Sequence, residues 1–226
     1  MKPRERLAQR FNLMAIDVKI CGLSTPETID AAIAGGATHI GLMFFAKSPR
    51  NVAIERAAAL TKNLPAHVRA VGVFVDPDAE FLDEVRKQVT LQVIQLHGDE
   101  RPAFVSRTAQ RHGIEVWKVI PVKTADDLKL AQKYRGAAHC ILYDAKTPKG
   151  ADLPGGIGLR FDWELLRGAS HPLPWGLAGG LHAGNVAEAV RITGAGLVDV
   201  SSGVETAPGI KDVDKIATFL KTTSHL

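Results

Sequence analysis

Short apolar runs recur along the chain at residues 18–21, 39–44, 70–75, 93–96, 116–120, 140–143, 174–178 and 198–201. Most are apolar at consecutive positions rather than alternate ones, the pattern of strands covered on both faces. The segments between them read as amphipathic helices, with apolar residues three and four apart. These cover 25–34, 54–64, 78–88, 102–112, 125–134, 161–167, 183–193 and 212–220. Ser24 or Thr25 caps the first of them, Pro26 enters its first turn, and Gly35-Gly36 ends it. Eight strands therefore alternate with eight helices, which predicts an all-parallel sheet with helices packed over it. Eight such units in 226 residues close most naturally into a single-domain (β/α)8 TIM barrel spanning 17–222. An open doubly wound sheet is the alternative. It usually carries a glycine-rich dinucleotide loop after the first strand, and Cys21-Gly-Leu-Ser24 is not one.

Residues 1–16 precede the first strand as a basic, polar extension without an apolar core or cleavage site, and are expected to be dispensable. The one long connection, 145–160, is rich in Gly and Pro and follows a strand, as working lids do. The net charge of +4 is spread over mixed acidic and basic residues, so no nucleic-acid footprint stands out. No apolar run approaches the ~18 residues of a membrane span. Two cysteines, Cys21 and Cys140, are too few for a disulfide scaffold or a cysteine zinc site. Free thiols point to a reducing, cytoplasmic setting. A monomer is expected rather than a dimer.

In a barrel of this kind the working face is the C-terminal rim of the strands. Reading each strand end gives Cys21, the loop up to Arg50, Asp76, His97, Pro121, Asp144, Gly179-Gly180 and Ser201-Ser202-Gly203. The glycine loops after strands seven and eight suit a phosphate, since glycine lets backbone N–H groups approach an anion closely. Each loop alone reads equally well as a tight turn. Arg50 can hold a carboxylate or phosphate through two parallel hydrogen bonds, or be a solvated loop residue. Cys21 at the barrel mouth can serve as base, nucleophile or redox group, against the plainer reading of a small buried hydrophobe. Asp144 can serve as an acid or as a loop cap. Lys19 shares the parity of Cys21 and is expected to lower its pKa. Cys140 begins its strand, away from the rim, and reads as packing. The histidines other than His97 show no metal spacing.

These residues together resemble the phosphoribosylanthranilate isomerase family. The matching segments are Val18-Lys-Ile-Cys-Gly22, Phe45-Ala-Lys-Ser-Pro-Arg50, Val71-Gly-Val-Phe-Val75, Gln95-Leu-His-Gly98, Asp144-Ala-Lys-Thr147, Gly155-Gly-Ile-Gly158 with Phe161-Asp-Trp163, Leu177-Ala-Gly-Gly-Leu181 and Asp199-Val-Ser-Ser-Gly-Val-Glu205. The resemblance implies an Amadori rearrangement of a phosphosugar–anthranilate substrate in tryptophan biosynthesis, with no metal and no cofactor. It implies Cys21 as general base, Asp144 as general acid and Arg50 as the partner of the anthranilate carboxylate. Gly179, Gly180, Ser202 and Gly203 match the phosphate site, and His97 and Asp199 match polar pocket residues. Two departures stand out. Ile157 occupies a position where the family often carries Ser or Thr, and residues 149–154 lengthen the lid.

Three other readings fit parts of the pattern. A Schiff-base aldolase on the same barrel would use Lys118 or Lys146 as nucleophile, against the plainer reading of Lys118 as a paired charge within the barrel. A binding module would keep the fold without the chemistry. A pentose-phosphate epimerase would need a metal-binding set of His and Asp at the strand ends.

Overall fold

The eight apolar runs pair side by side in chain order and close on themselves: β1 (Asp17–Cys21), β2 (His39–Phe44), β3 (Arg69–Phe74), β4 (Val93–Leu96), β5 (Glu115–Val122), β6 (Cys140–Ala145), β7 (Trp175–Leu177) and β8 (Leu197–Val200). All pairings are parallel, and β8 returns to β1. The computed structural model describes residues 16–148, 150, 153 and 155–226. The expected extension over 1–16 lies, apart from Ile16, outside the described residues, as does most of the lengthened lid segment 149–154.

Strand parity divides the side chains into two layers. Val71, Val73, Val93, Trp117, Val119, Leu142 and Leu197 fill the barrel interior. Ile20, Ile40, Leu42, Ile94, Leu96 and Ile141 point outward, against the helices. Both layers are buried, which is why the strands read as continuous apolar runs. Each fully buried aliphatic side chain contributes about 1.5–3 kcal/mol. The interior is filled to contact: a methyl group at Gly176 would meet Leu142 and Leu197 at 2.8 Å.

The helices start and stop where side-chain chemistry dictates. Pro26–Ala34 follows Thr25, whose hydroxyl accepts from the Thr28 amide, and Ala79–Gln88 follows Asp78, which accepts from the Phe81 amide at 2.7 Å. Pro102–His112 ends at Gly113 in the left-handed conformation. Ile54–Thr61, Val186–Thr193 and Val213–Thr223 complete the α-helices of the outer ring, with a short one at Ala125–Leu128.

One expected α-helix, 161–167, and the second part of another, 125–134, are wound more tightly. Lys129–Tyr134 and Trp163–Leu166 are 3-10 helices. Their core-facing residues explain this. Leu128, Ala131 and Tyr134 are three apart, as are Trp163 and Leu166, and a three-residue turn stacks such positions on one face. A further hairpin, β9 (Glu205–Ala207) and β10 (Ile210–Lys211), follows β8 and was not expected from the strand pattern. No helix among the described residues is long and apolar enough to cross a membrane.

Candidate active site

Strand parity delivers the chemistry to one place. Cys21, Gln95, His97, Asp144 and Asp199 occupy inward positions and open, with Arg50, into one cleft at the C-terminal mouth of the barrel. Its empty space, open mouth included, is about 780 Å³. Met43, Phe45, Val75, Ile157 and Leu159 supply apolar wall.

Cys21 ends β1. Lys19, one pleat below it, stands directly opposite Asp199 in the β1–β8 ladder. The Lys19 ammonium lies 3.0 and 2.9 Å from the two Asp199 oxygens and is fully buried. Burial works against the Lys19 charge, but Asp199 and then Cys21 hold its pKa above the ordinary lysine value. For Cys21 the balance goes the other way. Burial pushes the thiol up by more than Lys19 pulls it down, so it sits above the ordinary thiol range. The expectation that Lys19 would leave a lowered thiol pKa is therefore corrected: the cation opposes desolvation without overcoming it. Cys140 is buried in the barrel interior and pushed up to about 12, consistent with packing.

Asp144 lies near the end of β6, three places from β1 around the ring. One carboxylate oxygen accepts from the Ala145 amide at 2.7 Å, and the other lies 3.3 Å from His97 Nε2. Gly155 and Gly179 pack so closely here that a side chain on either would meet the Asp144 carboxylate at 2.8 Å.

Arg50 is not a solvated loop cation. It is buried, with Nε and Nη2 each 2.7 Å from the Glu205 carboxylate, and Nη2 also donates to the Gly156 carbonyl at 2.8 Å. Glu205 is shared with Lys211, whose ammonium lies 2.6 Å away. Burial raises the Glu205 carboxyl, yet Arg50 and Lys211 together bring it below the usual carboxylate value.

Across the cleft, Gly179 and Gly180 take φ values of +87° and +63°, which glycine alone adopts readily. Asn185 fixes this turn, donating to the Gly180 carbonyl and accepting from the His182 amide, both at 2.9 Å. Among the described residues, the amides of Gly180, Ser202 and Gly203 donate to no protein acceptor. N–H groups so arranged are able to hold an anion. Gly203 is set back from the cleft wall, with its Cα against the Leu181 carbonyl so closely that no side chain fits.

Some rim residues do other work. Asp76 lies outside this cleft and accepts from the Asp99 amide at 2.7 Å. Lys118 points away from the barrel interior, between the barrel and its helices, where it pairs with Glu100 at 2.9 Å and donates to the Gly98 carbonyl at 2.6 Å. It is paired as its plainer reading held, but outside the barrel wall, so it does not face the cleft. Lys146 pairs with Asp127 at 2.9 Å on the surface. Among the described residues no group of three His, Cys, Asp or Glu side chains is arranged to hold a metal ion.

Sequence reasoning missed Gln95, Glu205 and Lys211. Gln95 shares the inward parity of Val93 and His97, so the signal was present. Pro208-Gly209, a turn dipeptide, marked the hairpin that carries the other two.

A closed parallel barrel with a thiol, a carboxyl–imidazole pair, an arginine and N–H groups able to hold an anion at one mouth is the build of a (β/α)8 enzyme acting on a small anionic molecule. Within that class the match is particular. The chain belongs to the N-(5'-phosphoribosyl)anthranilate isomerase family, whose model matches residues 18–222. It is 54% identical over 214 residues to the N-(5'-phosphoribosyl)anthranilate isomerase of Rhodospirillum centenum, covering 94% of this chain and all of the relative. The solved phosphoribosyl anthranilate isomerase of Thermotoga maritima superposes with a TM-score of 0.84 at 36% identity, covering 93% of this chain and all of that one. A solved phosphoribosyl anthranilate isomerase in complex with reduced 1-(o-carboxyphenylamino)-1-deoxyribulose 5-phosphate gives 0.80 at 34% identity, with the same coverage.

Proposed function

We propose that this enzyme converts N-(5-phosphoribosyl)anthranilate to 1-(2-carboxyphenylamino)-1-deoxyribulose 5-phosphate in tryptophan biosynthesis, with Asp144 as general acid and Cys21 as general base. The observation that carries the assignment of roles is that the thiol and the carboxyl open into one cleft from well-separated strands, so that each can reach a different part of one sugar.

Asp144 donates a proton to the ribose ring oxygen. The C1′–O bond breaks as the anthranilate nitrogen forms a C=N bond, giving an open-chain Schiff base. Cys21, as thiolate, removes the proton on C2′, and the electron pair moves to form an enolamine. Tautomerisation gives the ketone. His97, at 3.3 Å from Asp144, is placed to return a proton to the carboxyl. Lys19 and Lys211 both favour the thiolate against burial. Neither step consumes a redox equivalent, so acid–base groups suffice.

The two ends of the substrate are anions. Arg50 is suited to the anthranilate carboxylate, and the cradle of Gly179, Gly180, Ser202 and Gly203 to the phosphate. The apolar wall of Met43, Phe45 and Ile157 suits the aromatic ring. Asp199 acts through Lys19. Two buried free thiols support a cytoplasmic setting. The test is turnover of freshly generated phosphoribosylanthranilate, followed by loss of its fluorescence. Rapid loss is expected, and no loss would move the reading to a binding module.

A further inference from the structure

We propose that Glu205 is a positioning residue for this reaction: from the β9–β10 hairpin it sets the plane of the Arg50 guanidinium and thereby the enzyme's preference for a substrate bearing a ring carboxylate. The inference rests on the reading of Arg50 as the carboxylate partner.

The geometry is that of a fork held in a fork. Both Glu205 oxygens accept from Arg50, one from Nε and one from Nη2, each at 2.7 Å. Two parallel bonds to a planar guanidinium fix its orientation as well as its position. Glu205, which takes this edge, is not among the residues that line the cleft. Nη1 has no protein partner among the described residues and lies against Gly156 on the cleft wall. An incoming carboxylate therefore meets a guanidinium whose direction is already set.

Charge reinforces the geometry. Arg50 and Lys211 are both buried cations, and among the described residues Glu205 is the one carboxylate that touches both. Three charges of this kind sum to +1, which leaves one positive charge to meet the substrate anion. Removing the carboxylate would leave two cations without their shared counter-ion in a poorly solvated place.

The hairpin is built to deliver this side chain. Gly209, at φ +83°, packs against the Pro49 carbonyl, immediately before Arg50 in the chain. Lys215 donates to the Glu205 carbonyl at 2.7 Å. Lys211 donates to the carbonyl and hydroxyl oxygens of Ser201, and that hydroxyl donates to the Cys21 carbonyl. One carboxylate thus links the arginine to the strand end that carries the thiol.

The experiment compares the dissociation constants of reduced 1-(o-carboxyphenylamino)-1-deoxyribulose 5-phosphate and of the same compound without the ring carboxylate. It uses wild type, Glu205→Gln, Glu205→Asp and Arg50→Gln. Wild type is expected to favour the carboxylated ligand by roughly 10- to 100-fold, the size of a charge-assisted hydrogen-bonded pair. Glu205→Gln is expected to lose most of that preference while still binding the descarboxy ligand as wild type does, a split that general damage to the fold does not produce. Glu205→Asp withdraws the carboxylate by one methylene and is expected to lose preference too, which covers a glutamine variant that does not fold. If both Glu205 variants keep the wild-type preference while Arg50→Gln loses it, the proposal is overturned and the reading of Arg50 stands. If Arg50→Gln also keeps it, that reading falls and the proposal with it.

Discussion

Lys19 and Asp199 face each other across the seam where β8 meets β1, joined by two hydrogen bonds of 3.0 and 2.9 Å directly beneath the Cys21 sulfur. The pair holds a positive charge beside a thiol whose ionisation burial opposes. In Lys19→Met the thiol should ionise only at higher pH. The limb of the kcat/KM–pH profile that reports thiolate formation is expected to move to higher pH. Activity near neutral pH falls and recovers in alkali. The variant is also expected to lose roughly 3–5 kcal/mol of stability, because Asp199 is left buried and unpaired. A pH profile that does not move would remove Lys19 from the chemistry.

Gly41 stands opposite Cys21 in the β1–β2 ladder. A methyl group there would lie 2.8 Å from the Cys21 sulfur and 3.1 Å from the Lys19 ammonium. Gly41→Ala should therefore push the base off line without touching the carboxylate or phosphate ends of the cleft. The expected outcome is a kcat lower by roughly 10- to 100-fold, with binding of the reduced product little changed. Equal losses in kcat and binding would point to a wider disturbance.

His39 sits inside the barrel near the ends of the strands opposite the cleft, against Trp117 with ring centroids 5.1 Å apart. Its Nδ1 is 2.8 Å from the Thr38 hydroxyl, and its Nε2 is buried without a partner among the described residues. Burial pulls its pKa from 6.5 down to about 4. Between these values the unfolded chain binds a proton that the folded chain does not, so stability falls as pH drops from about 6.5 towards 4. The loss from this group is at most about 3 kcal/mol. Urea melts across that range should show a shallower pH slope in His39→Phe than in wild type. Equal slopes would show that His39 is not the group responsible.

Much of this was legible in the residues because the fold is periodic. Eight doubly buried strands leave a direct trace as consecutive apolar positions, and parity then assigns Cys21, His97 and Asp144 to one mouth. Parity also placed Lys19 beside Cys21. The trace ends where an effect depends on magnitude or on distant partners. Nothing local says whether burial or Lys19 wins at the thiol. The Glu205 that holds Arg50 lies 155 residues away, on a hairpin too short to show an alternating pattern. Lys118 was misplaced because it was assigned to the interior without counting parity from Trp117 and Val119, which do face inward. The 3-10 turns were misread because core spacings of three and of four both pass for an α-helix when only apolar positions are counted.

The central claim is that Cys21 and Asp144 are the base and acid of one isomerisation. The most direct measurement is turnover of phosphoribosylanthranilate by wild type, Cys21→Ala and Asp144→Asn, with binding of the reduced product measured on each. Both variants are expected to lose turnover by roughly 10²–10⁴-fold or more while still binding the reduced product. Full turnover by either variant would contradict the assignment of that residue.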